Sequence, residues 1–325
     1  MIRYIVDRVL QGLAVVAVMS FVIYGLIGLM PGDPIDLMIS SNPHLTAEDS
    51  ARLRRVYGLD QPLLERYAAW ASAAVHGDFG YSRAFSRPVL DVIGPRLANT
   101  AALMIGAFVL ALAIGLPAGI LAASRPGSVT DALINLTSFV TISVPTFWLA
   151  LMMIIVFAVL LGWLPASGLP TGPAGFWEHV RYLVLPVATL ATVEAGAYAR
   201  FMRAAMIEAL RNDFVRTARA KGASWTRALL NHALRNAMIP VVTIMALSFG
   251  GLFSGALITE TMFAYPGMGK LIFDAVMGND FNLALVTLLF ATVLTLVGNL
   301  IADLAYVALD PRISLGGGPE RGRTR

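Results

Sequence analysis

The stretch VLQGLAVVAVMSFVIYGLIGLM, residues 9–30, runs for 22 residues without a charge. A helix needs ~20 mostly apolar residues to cross the hydrocarbon layer of a bilayer. This run is too long for the apolar core of a secretory signal, which is typically ~7–15 residues. It is followed by Pro31-Gly32-Asp33-Pro34 and not by a small-residue cleavage site. With Arg3 and Arg8 as its basic flank, it reads as a first membrane span.

Five further stretches meet the same test, at 99–123, 134–162, 183–205, 238–262 and 284–308. Lipid offers the backbone no hydrogen-bond partners, so the spans are expected to be helices. The fold expected is all-α, a polytopic membrane protein of six transmembrane helices. Pro145 predicts a kink or tilt in the third span. Gly115 and Gly119 flank Pro117 in the second span, and Gly251 and Gly255 have the same spacing in the fifth. Small residues four apart let two helices approach closely, so both pairs are read as packing signals and not as sites.

Composition agrees. Of the 325 residues, 57% are hydrophobic and only 14% charged, and the mean hydropathy is +0.72. Soluble domains are typically ~25% charged. There is no cysteine, which excludes disulfides and thiolate metal sites. The net charge of +4 rests on 24 basic residues, 22 of them arginine. In a membrane chain such an excess belongs to cytoplasmic loops, so no nucleic-acid partner is assigned. With the amino terminus inside, fifteen basic residues fall in inner segments and nine outside, seven of the nine in one long loop. Long loops cross largely regardless of charge, so both termini are placed in the cytoplasm.

The chain then divides into the first helix (1–30), an outer loop (31–98), a five-helix core (99–310) and a tail (311–325) expected to be disordered. In the outer loop, Thr46 to Asp49 reads as a capping box opening a short helix that closes near Gly58. Pro62 suits the first turn of a second helix reaching about Val75. Leu63, Leu64, Tyr67 and Trp70 would form its apolar face.

The inner segment 206–237 is polar and lies between two spans. It carries the text EALRNDFVRTARAKGASWTRALLNHALRNAMIP, residues 208–240. It reads as a helix, a break at Gly222, and a second helix with Ser224 as N-cap. Phe214, Ala218 and Trp225 would present an apolar edge among arginines. Two readings stand on the residues alone: a solvated connector, or a knob that fits a groove on a cytoplasmic protein.

That text resembles the EAA loop in permease subunits of ATP-binding-cassette importers. Ala218-Arg-Ala-Lys-Gly222 and Leu234-Arg-Asn-Ala-Met-Ile-Pro240 resemble the dipeptide and oligopeptide branch. Arg216 stands where the wider family has glutamate, and Arg235 where it commonly has proline. Both departures are shared by that branch. Further matches run along the chain: Arg3-Tyr4 through Pro34; Tyr57-Gly-Leu-Asp-Gln-Pro62; Arg66-Tyr67; Gly77-Asp-Phe-Gly80; Glu260; Tyr265-Pro-Gly-Met-Gly269; and Asp310-Pro-Arg312.

The resemblance implies a type I ABC importer permease fold in a bacterial inner membrane. It implies a second, homologous permease as heterodimer partner, two cytoplasmic ATPase subunits and an extracytoplasmic substrate-binding protein. ATP and magnesium would be held by the ATPases, so no cofactor is expected on this chain, and no enzymatic chemistry. The coupling helix would comprise Asp213, Phe214, Arg216, Thr217, Ala218, Arg219, Ala220, Lys221, Gly222, Ala223 and Ser224. The cargo class would be di- or oligopeptides, with glutathione and nickel chelates as alternatives.

Two carboxylates in spans are candidates for the translocation pathway. Glu194 lies near the middle of span four, where an ionised side chain costs ~2.5–3.5 kcal/mol on insertion scales. It reads either as a group meeting a peptide amino terminus or a cation, or as a structural contact between permeases. Glu260 at the outer end of span five reads as a gate or a binding-protein contact. Asn299 and Asp303 read as helix contacts.

Other classes find little support. Gly267-Met-Gly-Lys270 lacks the rest of a phosphate loop. Asp78-Phe79-Gly80 stands without other kinase elements. His44, His76, His179 and His232 are scattered outside the spans, and Ser254 has no histidine in any span to activate it. A proton-coupled secondary transporter would favour an internal repeat, which the halves do not display, and would leave the inner segment unexplained.

Overall fold

The structure is a computed structural model. It describes the backbone of residues 2–29 and 61–309, with side chains except at 2–4, 246–247, 249–252, 254–255, 302 and 304–309. The predicted capping box at Thr46 and the tail beyond 310 lie outside the described residues.

Eleven helices and one short hairpin follow in order among the described residues. They are α1 (Ile2–Gly28), α2 (Leu63–Val75), β1 (Tyr81–Ser82), β2 (Arg87–Pro88), α3 (Val89–Ser124), α4 (Val129–Ser143) and α5 (Thr146–Met153). Next come α6 (Phe176–Arg211), α7 (Asp213–Ala220), α8 (Trp225–Arg227), α9 (Leu234–Met262), α10 (Met268–Met277) and α11 (Phe281–Leu309). Wider π-type turns extend α5 over Ile154–Leu160 and join α8 to α9 over Ala228–Ala233.

Among the described residues the predicted spans fall largely on helix, the third being broken at Val144 and Pro145. Four helices among the described residues are long and apolar enough to cross a membrane, and five if the bent pair α4–α5 is one span. The remaining stretch, 238–262, lies in α9, a helix of 29 residues. The third span departs most from a simple rod. Val144 is extended, as a residue before proline prefers, and α4 meets the helix from Thr146 to Leu160 at 102°.

The chain forms two compact units. One takes Ala101–Tyr265 with the described residues of 1–10 and 295–325; the other takes the described residues of 11–100 with Pro266–Leu294.

In the first unit, α6 is the central helix, and glycines set its contacts. A Cβ on Gly115 would lie 2.7 Å from the Ala195 carbonyl oxygen, and one on Gly119 would lie 2.5 Å from that of Ala199. The Gly115–Gly119 pair is therefore a backbone seam between α3 and α6. Gly196 gives α4 the same approach, its Cβ position lying 3.0 Å from the Ser138 carbonyl oxygen. Arg8 on α1 pairs with Asp303 on α11 at 2.8 Å, so Asp303 is the helix contact expected of it.

In the second unit, α2 packs its aromatic face on α1. Tyr67 makes an edge contact with Phe21 at 5.2 Å and shares a hydrogen bond with Ser20 at 2.8 Å. Trp70 lies against Tyr24. Leu63 and Leu64 depart from expectation: they are 38% and 66% exposed, while Tyr67 and Trp70 are half-buried. The β-hairpin is anchored by Asp280, whose carboxylate accepts from Ser82 Oγ at 2.6 Å and from the Ala84 amide at 2.9 Å. The same carboxylate accepts from the Leu283 amide, capping α11.

Candidate functional site

The inner segment breaks at Gly222 and restarts at Ser224 as its text predicts, and breaks once more at the extended Asn212, which the text did not announce. Helix α7 ends in a Schellman turn: the Ala223 amide donates to the Ala218 carbonyl at 3.1 Å, and the Gly222 amide donates to Arg219 at 2.9 Å. Gly222 adopts φ +91°, which side-chain-bearing residues rarely tolerate. Ser224 Oγ then accepts from the Arg227 amide at 3.3 Å and caps α8.

A buried anchor fixes the segment to α6. Val215, Ala228 and Leu229 pack with Met202, Met206 and Ala209. Burying a valine or leucine side chain contributes roughly 1.5–3 kcal/mol, so α7 sits on the end of α6 as a fixed element. The opposite surface is open. Phe214 and Trp225 are 39% and 43% exposed, while Ala218 is half-buried. The Arg219 guanidinium lies over the Trp225 ring at 5.5 Å. Asp213 pairs with Arg216 at 3.0 Å, fully in solvent, where such a pair contributes little. Thr217, Ala220 and Lys221 are exposed around them. The segment thus offers two exposed aromatic side chains among exposed arginines, the composition of a protein contact surface.

The two carboxylates sit in different surroundings. Glu194 is half-buried on α6, one turn before the fully buried Tyr198. Glu260 is fully buried, so its side chain is not presented at a surface of its own unit. Just beyond the span, burial and then the charge of Glu260 push the Tyr265 phenol up to about 12.

Two pairings have no motif in the sequence. One is the Asp280 anchor, foreshadowed only by an aspartate directly before an apolar run. The other joins Asp131 on α4 to Arg203 on α6. Asp131 is 3% exposed and accepts from Arg203 Nε at 2.5 Å and from its terminal nitrogen at 2.7 Å. It also accepts from the Gly127 amide at 2.9 Å and from Asn135 at 2.7 Å.

Comparison with known proteins gives the class. Residues 115–315 match the family described as binding-protein-dependent transport system inner membrane component, and residues 1–104 match its N-terminal counterpart. The chain belongs to this family of membrane transport components. It is 37% identical over 316 residues to the oligopeptide transport system permease protein AppB of Bacillus subtilis, covering 96% of this chain and 99% of that one. It is 38% identical over 313 residues to the glutathione transport system permease protein GsiC of Escherichia coli, covering 96% and 99%. A putative peptide permease protein of Brucella ovis is 37% identical over 318 residues, covering 97% of this chain and 100% of that one. In fold, the chain is similar to one from the MetNI methionine ABC transporter in inward-facing conformations. That likeness has a TM-score of 0.51 at 20% identity, over 65% of this chain and 93% of the other.

Proposed function

We propose that this chain is the permease subunit of an ATP-driven importer that takes up di- or oligopeptides delivered by an extracytoplasmic binding protein. It would pair with a second, homologous permease as a heterodimer in a bacterial inner membrane, with both termini cytoplasmic. Two ATPase subunits would dock on the inner face and hold the ATP and magnesium, leaving this chain without a cofactor or bond chemistry of its own. Its work is a difference in binding energy between inward- and outward-facing conformations.

The observation that carries this reading is the anchored knob from Asp213 to Ser224. A short helix fixed to α6 by Val215, and stopped at Gly222, exposes Phe214 and Trp225 where a partner can seat them. A solvated connector needs neither the anchor nor the exposed aromatics. Kinship to the oligopeptide permease AppB supports the peptide cargo. Similar identity to GsiC supports a second reading, in which the cargo is glutathione, itself a small peptide; nickel chelates are a further alternative. Glu194 is assigned to the pathway, where it would meet a peptide amino terminus. Glu260 is assigned as a gate, since its burial disfavours direct contact with the binding protein.

The test is reconstitution with and without the ATPases. Peptide uptake is expected only with ATPases, ATP and binding protein together. Proton-coupled uptake by the purified chain alone would overturn the proposal. Competition among peptides of graded length, glutathione and nickel would then assign the cargo.

A further inference from the structure

The Asp131–Arg203 pair is built more heavily than a surface ion pair. The carboxylate is almost fully buried and receives two charge-assisted bonds from one guanidinium, a backbone amide and a side-chain amide. A buried pair of this kind is weak evidence for net stability, because desolvation offsets the attraction. What it does fix is geometry, since a bidentate arginine–carboxylate contact sets both distance and orientation.

Its position gives that geometry a use. Arg203 lies eight residues before Arg211, the last residue of α6, and Asn212 leads directly into α7. A second fastening sits further along the same helices, where Gly196 admits the backbone of Ser138. From Asp131 to Ser138 is seven residues on α4, and from Arg203 back to Gly196 is seven on α6. The two helices therefore run antiparallel, held at two points ~10 Å apart along their axes. Two fixed points prevent α4 from pivoting on α6. The nearest freedom is at the 102° bend after Ser143. Meanwhile Leu133, Leu136 and Phe139 on α4 are exposed in the single chain.

We propose that the Asp131–Arg203 clamp makes α4 a rigid extension of the α6 stem, so that displacement of α7 is delivered to α4 and its exposed apolar face. Asp131 and Arg203 are then positioning residues for coupling, acting at a distance from both cargo and ATPase. This rests on the reading of α7 as the coupling helix.

The experiment uses the absence of native cysteine. Spin labels at Thr137→Cys on α4 and Glu208→Cys on α6, both exposed positions, report the distance between the helices in the full chain in lipid nanodiscs. The labelled chain is expected to give one narrow distance, unchanged when the assembled transporter is trapped with ATP. Adding Asp131→Asn is expected to broaden that distance in the chain alone. In the assembled transporter the same substitution should lower import about tenfold while ATP hydrolysis continues. Asp131→Glu, which keeps the charge, should recover part of the import. A distance that shifts on ATP trapping without the Asn substitution overturns the clamp. So does a narrow distance, or full import, with Asp131→Asn. Failure of the ATPases to co-purify with the unsubstituted chain would instead overturn the functional reading, and the measurement on the chain alone still decides the clamp.

Discussion

The guanidinium of Arg219 and the indole of Trp225 face each other at 5.5 Å across the turn made by Gly222. The contact ties the end of α7 to the start of α8, and Trp225, like Phe214, stays exposed. Such a contact is worth ~0.5–1 kcal/mol at an exposed site. It orders the surface more than it stabilises the protein.

Gly222→Leu should therefore act on docking and not on insertion. No atom stands within 4 Å of the Cβ position, so the cost comes from φ +91° alone, roughly 1–3 kcal/mol. The variant is expected in the membrane at normal amount but with reduced ATPase co-purification and uptake. Normal values of both would argue against a coupling role. Trp225→Ala should weaken co-purification without changing thermal stability measurably.

Gly119→Ala should destabilise the helical unit. The added carbon would meet the Ala199 carbonyl oxygen at 2.5 Å and the Met202 Cβ at 2.6 Å. Overpacking of this kind costs typically ~1–3 kcal/mol, read as a lower midpoint of thermal aggregation in detergent. Gly12→Ala, with nothing within 4 Å, serves as the control and should leave the midpoint in place.

Asp280→Ala removes a helix cap and strands the Ser82 hydroxyl and the Ala84 amide. A loss of about 2 kcal/mol is expected. The hairpin should loosen first, so limited trypsin digestion is expected to cut at Arg83 faster than in the unsubstituted chain. Equal cleavage rates would mean that the anchor is dispensable.

Glu194→Gln tests the role of charge at mid-membrane. ATP-coupled uptake is expected to fall several-fold with assembly retained, because the amide no longer offers a charge to the peptide amino terminus. Uptake at the unsubstituted rate would argue against both the pathway role and any proton relay.

Much of this arrangement could be read from the chain before its structure. Apolar runs placed the long helices because lipid demands both length and composition. Gly222 and Ser224 placed the break and the cap, because φ above zero and an unpaired helix amide each favour few residues. Pairings between distant residues could not be read in this way. Asp131 and Arg203 are 72 residues apart, and Ser82 and Asp280 are 198 apart. Neither pair leaves a periodic trace, since each is set by how helices and loops come together. Leu63 and Leu64 looked like part of an apolar face by composition, but only Tyr67 and Trp70 of that set are half-buried on α2. The magnitude of the bend at Pro145 was likewise hidden, since proline announces a break but not its angle.

The seam at Gly119 has a genetic corollary. Its tightness comes from atoms that are absent on α3 facing a backbone carbonyl on α6, and a backbone carbonyl cannot be trimmed by mutation. A second-site change at Ala199 therefore cannot relieve a bulkier residue at 119. Suppressors of Gly119→Ala are expected to map to positions that let the two helices move apart as whole bodies, and reversion to glycine should dominate any selection for restored function.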